Sequence, residues 1–277
     1  MAQQTTLDRK MNNLPLIESD RSVKFKKMLH PILFMLAGTK IKYKVKKDKN
    51  YSGKTAQFAY KRPIIFVCNH TTAYDIPIAL KTIKEHTILF AAKQPLEKMD
   101  EMFFNLNGTV YVDRKNKADM KLSKVAMIET LKRGRNILVY PEGTWNTTDS
   151  NLMLEMKWGI TEVAKKSNAI IVPLALDYDY DKRVCTPRFG RPLDVSYVSN
   201  KQGVERVRES IASVRWKLFE ERGKFKRADI NPEEERAKIM HSVDEYPKLD
   251  FEYEQSVIFH SQPTPEEVFA PIKKLTK

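Results

Sequence analysis

The first apolar stretch along the chain, residues 28–38 (MLHPILFMLAG), has Lys24, Lys26 and Lys27 before it and Lys40, Lys42 and Lys44 after it. It is about half the roughly 20 residues needed to cross a bilayer, so it is expected to lie in a headgroup region rather than span; a helix packed on the domain is the alternative. Residues 40–46 then alternate strictly, which places Ile41, Tyr43 and Val45 on one face of a strand. Residues 64–68 (IIFVC) are apolar at every position, the pattern of a strand covered on both faces.

Strands are predicted at residues 87–91, 109–112, 137–140 and 169–176, and helices at 117–133 and 154–166. In the first helix Ala118, Leu122, Val125, Ile128 and Leu131 recur at helical spacing, and Gly134 stands where it would stop. Val204, Val207, Ile211, Val214 and Leu218 mark a longer helix ending near Gly223, and Asn231-Pro232-Glu233 reads as the cap and first turn of another. Beyond Tyr246 the chain has prolines and no clear period, which suggests an irregular extension. The rhythm predicts an α/β fold, a mostly parallel or mixed sheet flanked by helices. Three parts are expected: an N-terminal amphipathic helical segment (1–39), a central domain (40–222) and a C-terminal extension (223–277).

At 277 residues the chain can bury a core without disulfides, and two cysteines, Cys68 and Cys185, give neither a disulfide framework nor metal-ligand spacing. The five histidines form no recognisable ligand set, so no metal is implied. The N-terminus lacks an apolar run of signal-peptide type, and an intracellular location is expected. A net charge of +14 draws the surface toward polyanions, which include nucleic acid, anionic lipid and phosphorylated cofactors. No nucleic-acid module is visible, so a nucleic-acid partner is not expected, and a non-enzymatic basic membrane binder is the non-catalytic alternative.

The chemistry concentrates after the buried strand, in Asn69-His70-Thr71-Thr72-Ala73-Tyr74-Asp75. The C-terminal ends of strands in open α/β sheets are where ligands bind. A carboxylate folded back on the imidazole would fix its tautomer and leave the other ring nitrogen as a general base. The same residues also read as a capping box, with Thr72 and Asp75 at the right spacing. Cys68 with His70 invites a thiol-nucleophile reading, but a small residue is what a buried strand needs there.

Four segments in order resemble the glycerolipid acyltransferase family, typified by lysophosphatidic acid acyltransferases. They are Asn69-His70-x4-Asp75, with threonine where the family has serine; Gly108-Thr109-Val110-Tyr111-Val112-Asp113-Arg114; Tyr140-Pro141-Glu142-Gly143-Thr144; and Pro173 in an apolar strand. Lys93 resembles a downstream lysine common in that family. The resemblance covers about residues 41–193.

It implies a transferase of lipid metabolism in which His70, oriented by Asp75, deprotonates an acceptor hydroxyl that attacks an acyl thioester. The substrate contacts it implies are Asn69, Lys93, Gly108, Arg114, Glu142, Gly143, Thr144 and Pro173. Arg114 would grip phosphate, Glu142 would meet acceptor hydroxyls or anchor its loop, and amides near Gly143 would face the oxyanion. No cofactor is implied beyond acyl-CoA or acyl-ACP as co-substrate. The favoured acceptor is 1-acylglycerol-3-phosphate, with phosphatidic acid as product. Trp145 and Asn146 stand where phosphate-using members often have arginine, which keeps another lysolipid, glycolipid or glycan hydroxyl open, although Lys157 offers a basic residue nearby. The expected partners are acyl-CoA or acyl carrier protein and an anionic membrane surface, with the protein peripheral on the cytoplasmic, inner face.

Overall fold

The computed structural model of the chain describes residues 19–39, 41–46, 61–92, 98–146, 152–157, 159–223 and 231–244. In chain order the elements are α1 (Asp20–Thr39), β1 (Lys44–Val45), β2 (Ile64–Cys68), α2 (Asp75–Ile83), β3 (Thr87–Ala92), α3 (Lys98–Asn107), β4 (Val110–Val112), α4 (Lys117–Lys132), β5 (Asn136–Val139), α5 (Gly159–Ser167), β6 (Ile170–Asp179), β7 (Val184–Phe189), α6 (Asn200–Gly223) and α7 (Pro232–Asp244). The strands form a sheet in the order β1-β7-β6-β2-β5-β3-β4. From β6 to β4 all neighbours pair parallel; β7 runs antiparallel to β6, and β1 parallel to β7. The expected mixed α/β fold is therefore observed.

Strand β2 is central, between β6 and β5, which is why it is apolar at every position. Ile65 and Val67 face a layer that includes Met127 and Leu131 of α4, Ile160 of α5 and Val207 of α6. Ile64, Phe66 and Cys68 face the opposite layer with Ile78, Leu80 and Ile83 of α2. Each fully buried side chain of this size contributes about 1.5–3 kcal/mol of transfer free energy. Rigidity at this point matters because the chemistry begins where β2 ends.

Three local expectations change. The alternating segment at 40–46 is strand only at Lys44–Val45, where it forms the sheet edge by pairing with just the start of β7; Ile41, Tyr43 and Val45 nevertheless pack together against the core as the alternation required. Helix α4 is rotated from the face read in sequence, so Leu122 and Val125 are exposed while Asp119, Ser123, Ala126, Met127 and Thr130 are buried. The rotation is tolerated because β4 and the turn after it satisfy the buried polar groups: Asp113 N–H donates to Asp119 Oδ2 at 2.7 Å, and Ser123 Oγ donates to the Tyr111 carbonyl at 3.4 Å. The helix expected from residue 154 starts only at Gly159, since Leu154 N–H donates to Glu142 and Lys157 N–H to the Pro141 carbonyl, which hold this stretch against the loop after β5.

Helix α1 lies against α2 and α3, anchored by buried Val23, by Lys26 Nζ donating to the Asn105 carbonyl at 3.0 Å, and by an Arg135–Asp20 ion pair. Phe25, Met28, Ile32 and Met35, at helical spacing, are exposed. Among the described residues no helix is long and apolar enough to cross a membrane. Helix α7 starts as its sequence suggests, with Asn231 Oδ1 accepting from Glu233 N–H at 3.1 Å.

Candidate active site

Where β2 ends, a side chain continues the sheet. Asn69 Oδ1 accepts from Leu176 N–H at 2.8 Å and its Nδ2 donates to the Leu176 carbonyl at 3.1 Å, so the amide completes the ladder beside β6 and the main chain turns away at His70. The imidazole Nδ1 lies 2.8 Å from Asp75 Oδ2. That oxygen also accepts from Thr72 N–H at 2.9 Å and from Thr71 N–H, while Oδ1 accepts from Tyr178 Oη at 2.5 Å. Asp75 is wholly buried and opens α2. The carboxylate that gathers the amides of the turn thus also orients the histidine, while the capping box itself does not form: Tyr74 is the N-cap of α2 without a side-chain capping bond, and Thr72 Oγ1 accepts from Tyr74 N–H rather than from Asp75 N–H. An acceptor at Nδ1 assigns the ring proton to that nitrogen and leaves the Nε2 lone pair available.

A second loop clamps the same histidine from the other side. Glu142 is wholly buried; its Oε1 accepts from His70 N–H and its Oε2 from Leu154 N–H, both at 2.8 Å. Burial pushes the Glu142 carboxyl above its ordinary value, and the two amides and the nearby charge of Arg215 oppose that rise. Asn146 N–H donates to the His70 carbonyl at 2.6 Å. Gly143, with φ +73°, makes the turn possible, but its own N–H donates to the Tyr140 carbonyl at 3.1 Å and is not available to an oxyanion. The His70 ring lies against Tyr140 at 4.3 Å between centroids and meets Trp145 edge-on at 5.6 Å.

Two cavities adjoin here. One of about 120 Å³ is lined by His70, Phe104, Tyr111, Arg114, Thr144 and Trp145, among others. The other, about 360 Å³, is walled mainly by apolar side chains, including Met120, Met127, Val139, Ile160 and Val163, with Arg114, Lys124 and Lys157 as its cations. Phe90, Val112, Arg114, Tyr140 and Gly143 line both. A Cβ added at Gly143 would lie 3.9 Å from Arg114 Nη1, which shows how closely the guanidinium approaches the turn.

Of the residues singled out in the sequence, His70, Arg114, Gly143 and Thr144 line these cavities. Asn69 and Glu142 are wholly buried with their polar atoms committed to backbone, and they hold the site rather than face it. Gly108, with φ +83°, ends α3 before the N-terminal end of β4, whereas His70 follows the C-terminal end of parallel β2; the structure sets Gly108 apart from the cavities. Pro173 pairs with Val67 inside the sheet and is likewise not a lining residue. Lys93 lies outside the described residues. Cys68 is wholly buried, and desolvation together with the nearby Asp75 carboxylate pushes its thiol well up, which opposes a thiolate nucleophile. No group of histidine, cysteine, aspartate and glutamate suited to a metal occurs among the described residues. The sequence reading missed Tyr178 and the packing roles of Tyr140 and Trp145, since each acts through a neighbour that only the fold supplies.

Comparison with known proteins adds to this geometry. A family model described as Acyltransferase matches residues 43–177. The chain is 28% identical over 123 residues to the lyso-ornithine lipid O-acyltransferase of Pseudomonas aeruginosa, covering 44% of this chain and 46% of that protein. It is 28% identical over 133 residues to the 1-acyl-sn-glycerol-3-phosphate acyltransferase of Saccharomyces cerevisiae, covering 47% and 43%, and 30% identical over 133 residues to the enzyme of that name from Neisseria gonorrhoeae, covering 46% and 49%. The matched stretches thus span less than half of these relatives. The crystal structure of the 1-acyl-sn-glycerophosphate (LPA) acyltransferase PlsC from Thermotoga maritima shares the fold, with a TM-score of 0.57 and 18% identity over 80% of this chain and 89% of that one.

Proposed function

We propose that the chain moves a fatty acyl group from a thioester of coenzyme A or acyl carrier protein to the free hydroxyl of a lysolipid, a reading supported by the match of the Acyltransferase family model to residues 43–177. The observation that carries this reading is the imidazole held by a buried carboxylate at Nδ1 while its ring lines a cavity. His70 Nε2 takes the proton of the acceptor hydroxyl as its oxygen bonds to the thioester carbonyl carbon. The tetrahedral intermediate collapses with cleavage of the carbon–sulfur bond, and the thiolate leaves, taking the proton back from the imidazolium. No acyl-enzyme and no cofactor beyond the co-substrate enter these steps.

The larger cavity suits the acyl chain, where each buried methylene contributes about 0.8 kcal/mol. Arg114, shared by the two cavities, suits a phosphate with its fork of donors. The favoured acceptor is therefore 1-acylglycerol-3-phosphate. A phosphate-free lysolipid is the second reading, favoured by the buried Trp145 beside His70 and by the likeness to a lyso-ornithine lipid acyltransferase. Arg114, Gly143 and Thr144 face substrate in this scheme, and Asn69 and Glu142 position the loops.

The exposed row Phe25, Met28, Ile32 and Met35, with Lys24 and Lys27 exposed beside it, supports peripheral attachment of the segment 1–39 to anionic lipid on the cytoplasmic face. The domain at 40–222 would then work on lipid at that surface, followed by the extension at 223–277. The test is an assay of purified protein against a panel of lysolipids with both kinds of donor, alongside His70→Ala and Asp75→Ala. Near-complete loss of transfer in folded variants is expected. Full-rate transfer by folded His70→Ala would sink the mechanism.

A further inference from the structure

Helix α7 lies outside residues 43–177, and no step of acyl transfer uses it. It nevertheless reaches the catalytic loops. Ile239, 5% exposed, forms a small apolar cluster with Trp145, 7% exposed, and Ala73 and Tyr180 pack against the pair. Ala73 belongs to the turn between His70 and Asp75, and Trp145 belongs to the loop whose Glu142 and Asn146 bond the His70 backbone. The Trp145 ring in turn stands edge-on to the imidazole.

We propose that Ile239 is a positioning residue for this base: acting through Trp145, it holds the His70 imidazole in its reactive orientation. Asp75 fixes one ring nitrogen, but a single hydrogen bond leaves the ring free to rock about it. Tyr140 and Trp145 limit that motion, and Trp145 can do so only while something fills the space behind it. A gap of about 0.5–1 Å already forfeits a quarter to a half of a dispersion contact, so truncating Ile239 lets the indole shift and the imidazole follow. Productive geometry tolerates only about 0.5 Å of error. Ile239 itself lines neither cavity at His70, so it makes no direct contact with substrate there. The reaction affected is the one proposed above, and to that extent the inference rests on that reading.

The chain has three tryptophans, so a Trp158→Phe, Trp216→Phe background leaves Trp145 as the sole tryptophan, excited selectively over the tyrosines at the red edge of absorption. In that background Ile239→Ala, Ile239→Val and Ile239→Leu are compared by steady-state kinetics, by collisional quenching of Trp145, and by the rate at which diethyl pyrocarbonate modifies His70, followed by mass spectrometry of its peptide. Ile239→Ala is expected to lower kcat about tenfold with KM for donor and acceptor within about twofold, a misplacement effect. Trp145 quenching and His70 modification both increase, and Ile239→Leu restores most of the loss. Folded Ile239→Ala with wild-type kcat, or with unchanged quenching and His70 modification, overturns the proposal. If the alanine variant does not fold, Ile239→Val must show the same changes in smaller degree, and its failure to do so is equally decisive. If the unmodified protein acylates no lysolipid, the acyl-transfer reading falls, while the quenching and modification rates still decide whether Ile239 restrains His70.

Discussion

Replacing Glu142 by glutamine removes a buried charge and turns one acceptor oxygen into a donor, and two hydrogen bonds set the size of the effect. The carboxylate accepts from His70 N–H and from Leu154 N–H, each at 2.8 Å. Glutamine has one acceptor oxygen, so either orientation places its NH2 against a backbone N–H. A buried donor left unpaired costs about 1–3 kcal/mol, and relief of the desolvation that pushes the Glu142 carboxyl up offsets part of this. A net loss of about 1–2 kcal/mol is expected in urea unfolding at neutral pH. Because the folded-state value is raised, the contribution of Glu142 to wild-type stability falls as pH rises through the interval above 4.5, whereas the glutamine variant has no such contribution; the gap between them therefore narrows as pH increases. In kinetics, kcat should fall about tenfold or more, since His70 loses an anchor of its backbone, while the acceptor KM stays unchanged. Equal stability within about 0.5 kcal/mol together with an unchanged kcat would refute the clamp. A raised acceptor KM at constant kcat would instead mean that Glu142 meets the substrate hydroxyl.

Tyr178→Phe removes the donor to Asp75 Oδ1 and is expected to lower kcat about tenfold without moving KM, because a hydrogen bond to a charged group contributes about 1.5–3 kcal/mol; retention of full kcat would show that the amides of the turn suffice. Arg114→Ala should raise KM more for a phosphate-bearing acceptor than for a phosphate-free one, and equal effects would assign Arg114 to structure. Arg62 pulls the Asp194 carboxyl from 3.8 down to about 2, so the stabilisation it supplies is present above 3.8 and is lost as pH falls toward 2. Asp194→Asn should therefore be less stable than wild type at neutral pH, with the difference vanishing in acid; a constant difference in urea midpoint would refute this. Met28→Asp with Ile32→Asp should weaken sedimentation with anionic vesicles at low and high salt, whereas unchanged binding would mean that the exposed row on α1 is not the contact.

The fold class and the dyad were legible because each rests on local pattern. A strand apolar at every position must be covered on both faces, and a histidine two residues beyond its last position must stand at the C-terminal end of the sheet. What misled was pattern whose meaning depends on distant partners. Asp119 and Ser123 look like solvent residues until β4 and its following turn supply bonds for them, so the buried face of α4 could not be read from apolar spacing. Gly108 matched a substrate-binding block, yet it serves a backbone turn at the other end of its strand. Tyr178 meets Asp75 only because β6 lies beside β2, and Ile239 meets Trp145 only once α7 has folded back. Glu142 was expected to contact substrate or brace its loop, and its burial and two backbone bonds agree with bracing.

The amide of Asn69 has a consequence for how variants of this chain should be judged. Its oxygen and nitrogen answer the N–H and the carbonyl of one residue, Leu176, at once. Aspartate has no donor for the carbonyl and would bring two oxygens together there; serine is too short to reach both groups; glutamine carries an extra methylene that displaces the fork from its partner. A wholly buried position that lines neither cavity therefore tolerates few replacements. Tolerance to mutation around this histidine follows the closure of the sheet more closely than distance from the reacting atoms, and a ranking of harmful changes by proximity alone would place Asn69 too low.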